Sequence, residues 1–132
     1  MIKLEHTKQQ EITSKELEAF ESKYGYKLPQ NYKDLMLKYN GGHPERPVFS
    51  DTNIYFPPIK YGDVTMEELL DVTDEDFLPK GYFPFAEGGE SSFCFDTTIS
   101  NSKIYRIDED GEIEEVSNSF EDFINALEDD DY

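Results

Sequence analysis

Residues 28–42, LPQNYKDLMLKYNGG, are the stretch from which the fold is read. Pro29 suits a first helical position, because its missing N–H costs nothing there and its φ is already helical. Tyr32, Leu35, Met36 and Tyr39 recur at i, i+3, i+4 and i+7, which predicts one apolar stripe along one helix face. Asn40, Gly41 and Gly42 accept the left-handed conformation that other residues resist, so the helix should stop there with at least one glycine at positive φ. The expectation is a short helix with an aromatic face that hands the chain into a tight exit.

Toward the N-terminus, Thr13-Ser14-Lys15-Glu16 has the form of a capping box, with Thr13 as N-cap and Ile12 and Leu17 placed as its hydrophobic staple. Leu17, Phe20 and Tyr24 mark the buried side of a first helix, and Gly25 is its expected terminator. Only Gly25 to Leu28 then separate the two helices, and so short a connection favours a packed pair. Residues 1–11 read as a polar lead-in.

Toward the C-terminus the period changes. Val48-Phe49 and Ile54-Tyr55-Phe56 flank Ser50-Asp51-Thr52-Asn53, which reads as a hairpin loop, and Pro57-Pro58 bars further central strand pairing. Residues 59–81 form a connecting excursion with a short helix from Thr65 to Val72, opened by a second capping box, Thr65 with Glu68. From Gly81 on the runs are short and β-rich: 82–86, where Pro84 implies an edge or an irregularity, then 92–96, 103–107 and 112–116. Asp108-Glu109-Asp110-Gly111 makes a turn between the last two. Ser119 caps a final helix with Phe120, Phe123, Ile124 and Leu127 on one face, and residues 128–132 read as a frayed acidic tail.

Ten Phe and nine Tyr among 132 residues supply a packed core, so the high charge does not imply disorder. That length suits one domain, able to bury about two-thirds of its unfolded surface. No apolar run approaches the ~18 residues of a membrane span. The first ten residues lack a signal-peptide core, and a lone cysteine, Cys94, fits the cytoplasm. The net charge of −18 is unevenly placed: residues 1–62 hold nine Lys/Arg and eight Asp/Glu, and residues 63–132 hold three and twenty-two. Such a field repels nucleic acid and anionic lipid and attracts basic partners.

Several of these motifs, in this order, resemble the SUKH superfamily, which includes fungal cell-wall assembly regulators and bacterial immunity proteins that neutralise secreted toxins. The carriers are Tyr24-Gly25, Leu28-Pro29, Asn40-Gly41-Gly42, Leu78-Pro79-Lys80-Gly81, Pro84-Phe85-Ala86, Gly88-Gly89, Phe93-Cys94-Phe95-Asp96 and Ser119-Phe120-Glu121-Asp122-Phe123. They span about Ile12 to Leu127. Two features depart from the pattern: Trp is absent, and the 97–102 loop, TTISNS, has no glycine. A partner surface built on Trp therefore does not carry over.

Catalytic and metal readings find little support in the residues. Cys94 lies between two Phe residues in a strand and reads as a small buried hydrophobe, unliganded and idle. His6 and His43 have no sequence relation to it that would mark a nucleophile pair. Asp108-x-Asp110-Gly111 is only a fragment of a calcium loop. Gly88-Gly89 is followed by no GK[ST] and flanked by Glu87 and Glu90, which repel phosphate. Carboxylate pairs are too abundant here for any one to mark a glycosidase.

The remaining candidate is acidic: Asp63, Glu67, Glu68, Asp71, Asp74, Glu75 and Asp76, followed by Glu87, Glu90 and Asp96, with Tyr61 and Tyr82 bracketing the first cluster. Carboxylates beside exposed tyrosines suit a surface for Arg and Lys of a protein partner. The same residues also suit a plain solvated face with the tyrosines turned inward.

The expected architecture is α+β in a single domain: an N-terminal helix pair, an antiparallel or mixed sheet of short strands, and a C-terminal helix packed on the sheet. The resemblance implies the same fold. It also implies a cytoplasmic, non-enzymatic immunity protein without a cofactor, whose partner is a cognate toxin, often a nuclease with a basic cleft. An intracellular regulatory scaffold is the alternative it carries.

Overall fold

A computed structural model describes residues 2–5, 10–62, 64–72, 78–99 and 103–129. Two helices come early, α1 (Ser14–Tyr24) and α2 (Gln30–Tyr39), behind a two-residue strand β1 (Leu4–Glu5). Thr13 and Glu16 form the capping box: the Glu16 N–H donates to Thr13 Oγ1 at 3.1 Å and the Thr13 N–H to Glu16 Oε1 at 3.0 Å. Gly25 ends α1 at φ 74°, with its N–H bonded to the Glu21 carbonyl. The Glu21 side chain spans the connection, accepting the Leu28 N–H at 2.9 Å. The helix pair follows from these local bonds.

Pro29 is the N-cap of α2 and not its first helical residue, because its ψ of 144° is extended. Its ring fixes φ alone, so a helical φ does not by itself start the helix. Asn40 closes α2 at φ 49°, and Gly41 and Gly42 follow at 99° and 128°. A Cβ on Gly41 would lie 2.7 Å from Phe56 O and Pro58 N, so the exit is tight for packing as well as for backbone conformation.

The middle of the chain carries β2 (His43–Pro44), β3 (Val48–Phe49), β4 (Thr52–Asn53) and α3 (Met66–Val72). The hairpin is tighter than the sequence suggests. Val48 pairs with Asn53 and Phe49 with Thr52, so the loop is only Ser50-Asp51, at φ 47° and 72°. Two successive positive φ values match the twist of the flanking strands, and the loop shrinks accordingly. Of Ile54–Phe56, expected as the return strand, Ile54 still donates to the Pro47 carbonyl at 2.8 Å, while Tyr55 bridges to Glu87 and Phe56 to Gly42. Thr65 caps α3, its Oγ1 accepting the Glu68 N–H at 3.2 Å.

The second half forms an antiparallel sheet, β5 (Tyr82–Gly88), β6 (Ser91–Asp96), β7 (Ile104–Ile107) and β8 (Ile113–Ser117), followed by α4 (Phe120–Asn125). The order is β5-β6-β7-β8, and a register shift between Pro84 and Ala86 marks the irregularity that the proline implies. Asp108 organises the β7–β8 turn, its carboxylate accepting the N–H groups of Asp110 at 2.9 Å and Glu112 at 3.0 Å. Among the described residues the fold is α+β, four helices with antiparallel sheets.

One hydrophobic cluster runs from Leu4 to Leu127. Tyr32 sits at its centre, fully buried, with its ring against Phe83, Phe85, Phe95 and Phe120 at 5.5–6.4 Å between centroids. Phe123 of α4 meets Phe85 and Phe93, so the last helix packs on the sheet. Each such side chain contributes on the order of 1.5–3 kcal/mol by burial. Both segments expected to be loose carry pairings. Leu4 is buried and pairs with Pro44, and the Glu128 main chain exchanges two hydrogen bonds with Val48, at 2.7 and 3.0 Å. Ile2 and Leu4 anchor the first segment and Leu127 adjoins the second, too few apolar residues to show as a period. No helix among the described residues is long and apolar enough to cross a membrane.

Candidate partner-binding surface

Asn40, read from sequence only as a helix stop, governs the first part of this surface. It is fully buried. Its Nδ2 donates to the carbonyls of Gln10 at 2.9 Å and Lys60 at 2.6 Å, and its Oδ1 accepts the Ile59 N–H at 2.9 Å. The bond to Ile59 satisfies a buried backbone N–H, and the other two tie down partly buried carbonyls. They also seat the chain at Lys60-Tyr61, where it turns into α3. The only hint in the sequence is that the position before Gly41-Gly42 is Asn, which can bond as well as adopt positive φ.

Around that turn Lys23, Lys60, Tyr61, Gly62, Thr65, Glu67, Glu68 and Asp71 line a shallow depression. Four of the candidate residues, Tyr61, Glu67, Glu68 and Asp71, therefore stand together. They are not bare charge. Lys60 Nζ lies 3.3 Å from Glu67, and the Tyr24 hydroxyl donates to Asp71 Oδ1 at 2.8 Å. Burial, with the Asp71 carboxylate next to it, pushes the Tyr24 phenol up to about 12. The Tyr61 hydroxyl donates to Glu16, and this bond holds the Glu16 carboxyl below its ordinary range. Tyr61 is 38% exposed at φ 60°, so its ring is held at the rim and not in the core. Asp63, Asp74, Glu75 and Asp76 lie outside the described residues, as does His6.

The remaining candidates stand on the sheet and beyond it. Strand alternation and the pairs Tyr82–Asp96, Pro84–Cys94, Glu87–Ser92 and Cys94–Tyr105 put these residues on the face opposite Phe83, Phe93 and Phe95. Tyr82 packs on Tyr105, with ring centroids 5.6 Å apart. Asp96 is used locally, its Oδ1 accepting the Thr98 N–H at 3.0 Å and hydroxyl at 2.5 Å. Glu87 is half-buried and accepts the Ser92 hydroxyl at 2.7 Å; burial pushes its carboxyl up to about 7. Glu90 lies past the strand end in the β5–β6 turn. It shares a hydrogen bond with Glu109, which raises the Glu109 carboxyl.

The structure thus divides the acidic constellation. β5 spans about 20 Å at ~3.3 Å per residue, which places Tyr82 and Asp96 at one end, Glu87 near the other and Glu90 past it. Only the group at α3 is compact. Three of the neighbours that complete it, Glu16, Lys23 and Tyr24, are distant in sequence, and no motif tied them to this surface.

Cys94 is fully buried and burial pushes its thiol well up, the reverse of an activated nucleophile. Among the described residues no three His, Cys, Asp or Glu side chains converge as a metal site.

A comparison with curated proteins returned no match. The sequence model of the SMI1 / KNR4 family (SUKH-1) matches residues 11–126, from just before the α1 staple to the C-cap of α4, and this chain belongs to that family.

Proposed function

We propose that this chain is a non-enzymatic immunity protein of the cytoplasm that binds and neutralises a protein toxin, with a basic nuclease as the toxin type that best suits its charge. The observation that carries the reading is the compact group at α3, where Glu67, Glu68 and Asp71 surround the rim-exposed Tyr61 within a half of the chain that bears twenty-two acidic residues against three basic ones. Membership of the SUKH family supports a protein partner. The binding surface of this reading is Tyr61, Asp63, Glu67, Glu68, Asp71, Asp74, Glu75 and Asp76, with Tyr82, Glu87, Glu90 and Asp96 as an outlying part.

An acidic surface laid over a basic cleft displaces phosphate and speeds encounter through long-range attraction. Rim charges act mainly on the association rate, so neutralising Glu67, Glu68, Asp74 and Asp76 together should slow association and flatten its salt dependence, with less change in dissociation. The experiment is co-expression with the product of the neighbouring reading frame, scored for rescue from lethality, followed by stopped-flow association at low and high salt. An association rate that the quadruple variant leaves unchanged at both salts would overturn the electrostatic surface. Several weak partners in place of one tight one would favour the regulatory scaffold that the other branch of the family represents.

A further inference from the structure

The four-stranded sheet has two edges, and they are treated differently. On the β5 side, Tyr55 and Glu87 exchange main-chain hydrogen bonds at 2.9 Å each, the Tyr26 hydroxyl donates to the Tyr82 carbonyl at 3.1 Å, and Pro84 has no N–H to offer. Together with the bulge at Pro84, these features close that edge to another strand. On the β8 side, Ile113–Ser117 pairs with β7 alone among the described residues, and Ile113, Glu114 and Glu115 are exposed.

The turn fixes which groups of β8 face outward. Asp108 donates its N–H to the Glu112 carbonyl at 3.0 Å, so 108 and 112 form a hydrogen-bonded pair. Antiparallel pairs alternate. Ile107–Ile113 and Tyr105–Glu115 are then the non-bonded pairs, and Ile113 and Glu115 direct N–H and C=O away from β7. Side chains alternate too. Ile113 is 43% exposed on one face, and Glu112 and Glu114 share the other and form no ion pair among the described residues. Glu115 is held by Lys103 at 2.7 Å.

We infer that the β8 edge is a docking site for an extended segment of a partner protein in which basic and apolar residues alternate, added as a fifth strand. The outward groups of Ile113 and Glu115 offer main-chain bonds, Ile113 offers apolar contact on one face, and Glu112 and Glu114 offer carboxylates to Lys or Arg on the other. A second copy of this chain does not fit, because antiparallel β8–β8 pairing sets glutamates against glutamates between two bodies of net charge −18. This site is separate from the α3 surface and goes beyond the function proposed from it.

The test uses the full-length isotope-labelled protein and a synthetic peptide of alternating Lys and Val, with a Glu–Val peptide and a proline-interrupted Lys–Val peptide as controls. The Lys–Val peptide should shift the amide resonances of residues 112–116 and slow hydrogen exchange at Ile113 and Glu115 by about tenfold or more. It should bind less well at higher salt, and neither control should bind. Ile113→Pro removes an outward N–H and should abolish the effect. The double variant Glu112→Lys/Glu114→Lys leaves the main chain intact and should weaken binding while thermal unfolding stays that of a folded protein. Absence of binding, equal binding of the proline-interrupted peptide, or shifts centred on Glu67, Glu68 and Asp71 without slowed exchange at Ile113 and Glu115 would each overturn the inference. None of those outcomes touches the toxin-binding reading, which the quadruple α3 variant tests on other residues.

Discussion

Replacing Glu87 by Gln should stabilise the protein at pH 8 and leave it nearly unchanged at pH 5. Glu87 is half-buried on the sheet face among Ser92, Cys94 and Tyr55, and desolvation moves its carboxyl from an ordinary 4.5 up to about 7. A carboxyl raised in this way binds its proton more tightly when folded than when unfolded. Between pH 4.5 and about 7 the folded state holds more protons, so stability falls as pH rises through that window, and the full cost is present above it. At roughly 1.4 kcal/mol per pH unit the ceiling is about 3.5 kcal/mol, which partial solvation trims to about 2–3. Gln keeps an oxygen for the Ser92 hydroxyl and carries no charge. With unfolding entropy near 2.1 cal/mol/K per residue, 132 residues convert about 2–3 kcal/mol into a melting-temperature gain of about 7–11 °C. The assay is urea unfolding of both proteins at pH 5, 7 and 8. The comparison between the two proteins is what counts, since every group other than residue 87 acts on both alike. A gap that is the same at pH 5 and pH 8, or a variant less stable at pH 8, would refute the reasoning.

Asn40→Ala should cost about 2–3 kcal/mol in urea unfolding, chiefly because it strands the buried Ile59 N–H and also removes the bonds to the Gln10 and Lys60 carbonyls. Asn40→Gly should cost about 1 kcal/mol less than Asn40→Ala, since only the left-handed strain at φ 49° is relieved; equal losses would show that strain contributes nothing. Gly41→Val combines φ 99° with a Cβ 2.7 Å from backbone atoms, and should leave little folded protein by circular dichroism at 25 °C. Tyr32→Phe removes a buried hydroxyl that meets no hydrogen-bonding partner among the described residues, and should be neutral or stabilise by about 1 kcal/mol; a clear loss would reveal a partner.

Much of this fold is written in local chemistry. Thr13 with Glu16, Gly25, the helix stop at Asn40 with its N–H on the Met36 carbonyl, Asp108 to Gly111 and Ser119 each act within four residues of themselves, so their reading required nothing from the rest of the chain. The spacing of Phe120 and Phe123 likewise shows the helix face that the structure buries, whereas β6 is buried on both faces, with Cys94 opposite Phe93 and Phe95. Pro84 marked an irregular edge strand because a residue without an N–H has few other places in a sheet.

What the sequence alone determined was therefore the four helices with their caps, the run of strands after Gly81 and an excess of acid placed after residue 62. Tertiary structure alone decided which acidic residues stand together. Glu67, Glu68 and Asp71 gather with Lys23, Lys60 and Tyr61 because Asn40 ties Lys60 to the end of α2, and Glu90 and Glu109 meet because two hairpin turns lie side by side. Tertiary structure also decided that burial on the sheet face raises the Glu87 carboxyl. Charge is a property of a residue and is visible in its letter; desolvation and pairing belong to the space around it, which contacts between distant parts of the chain create.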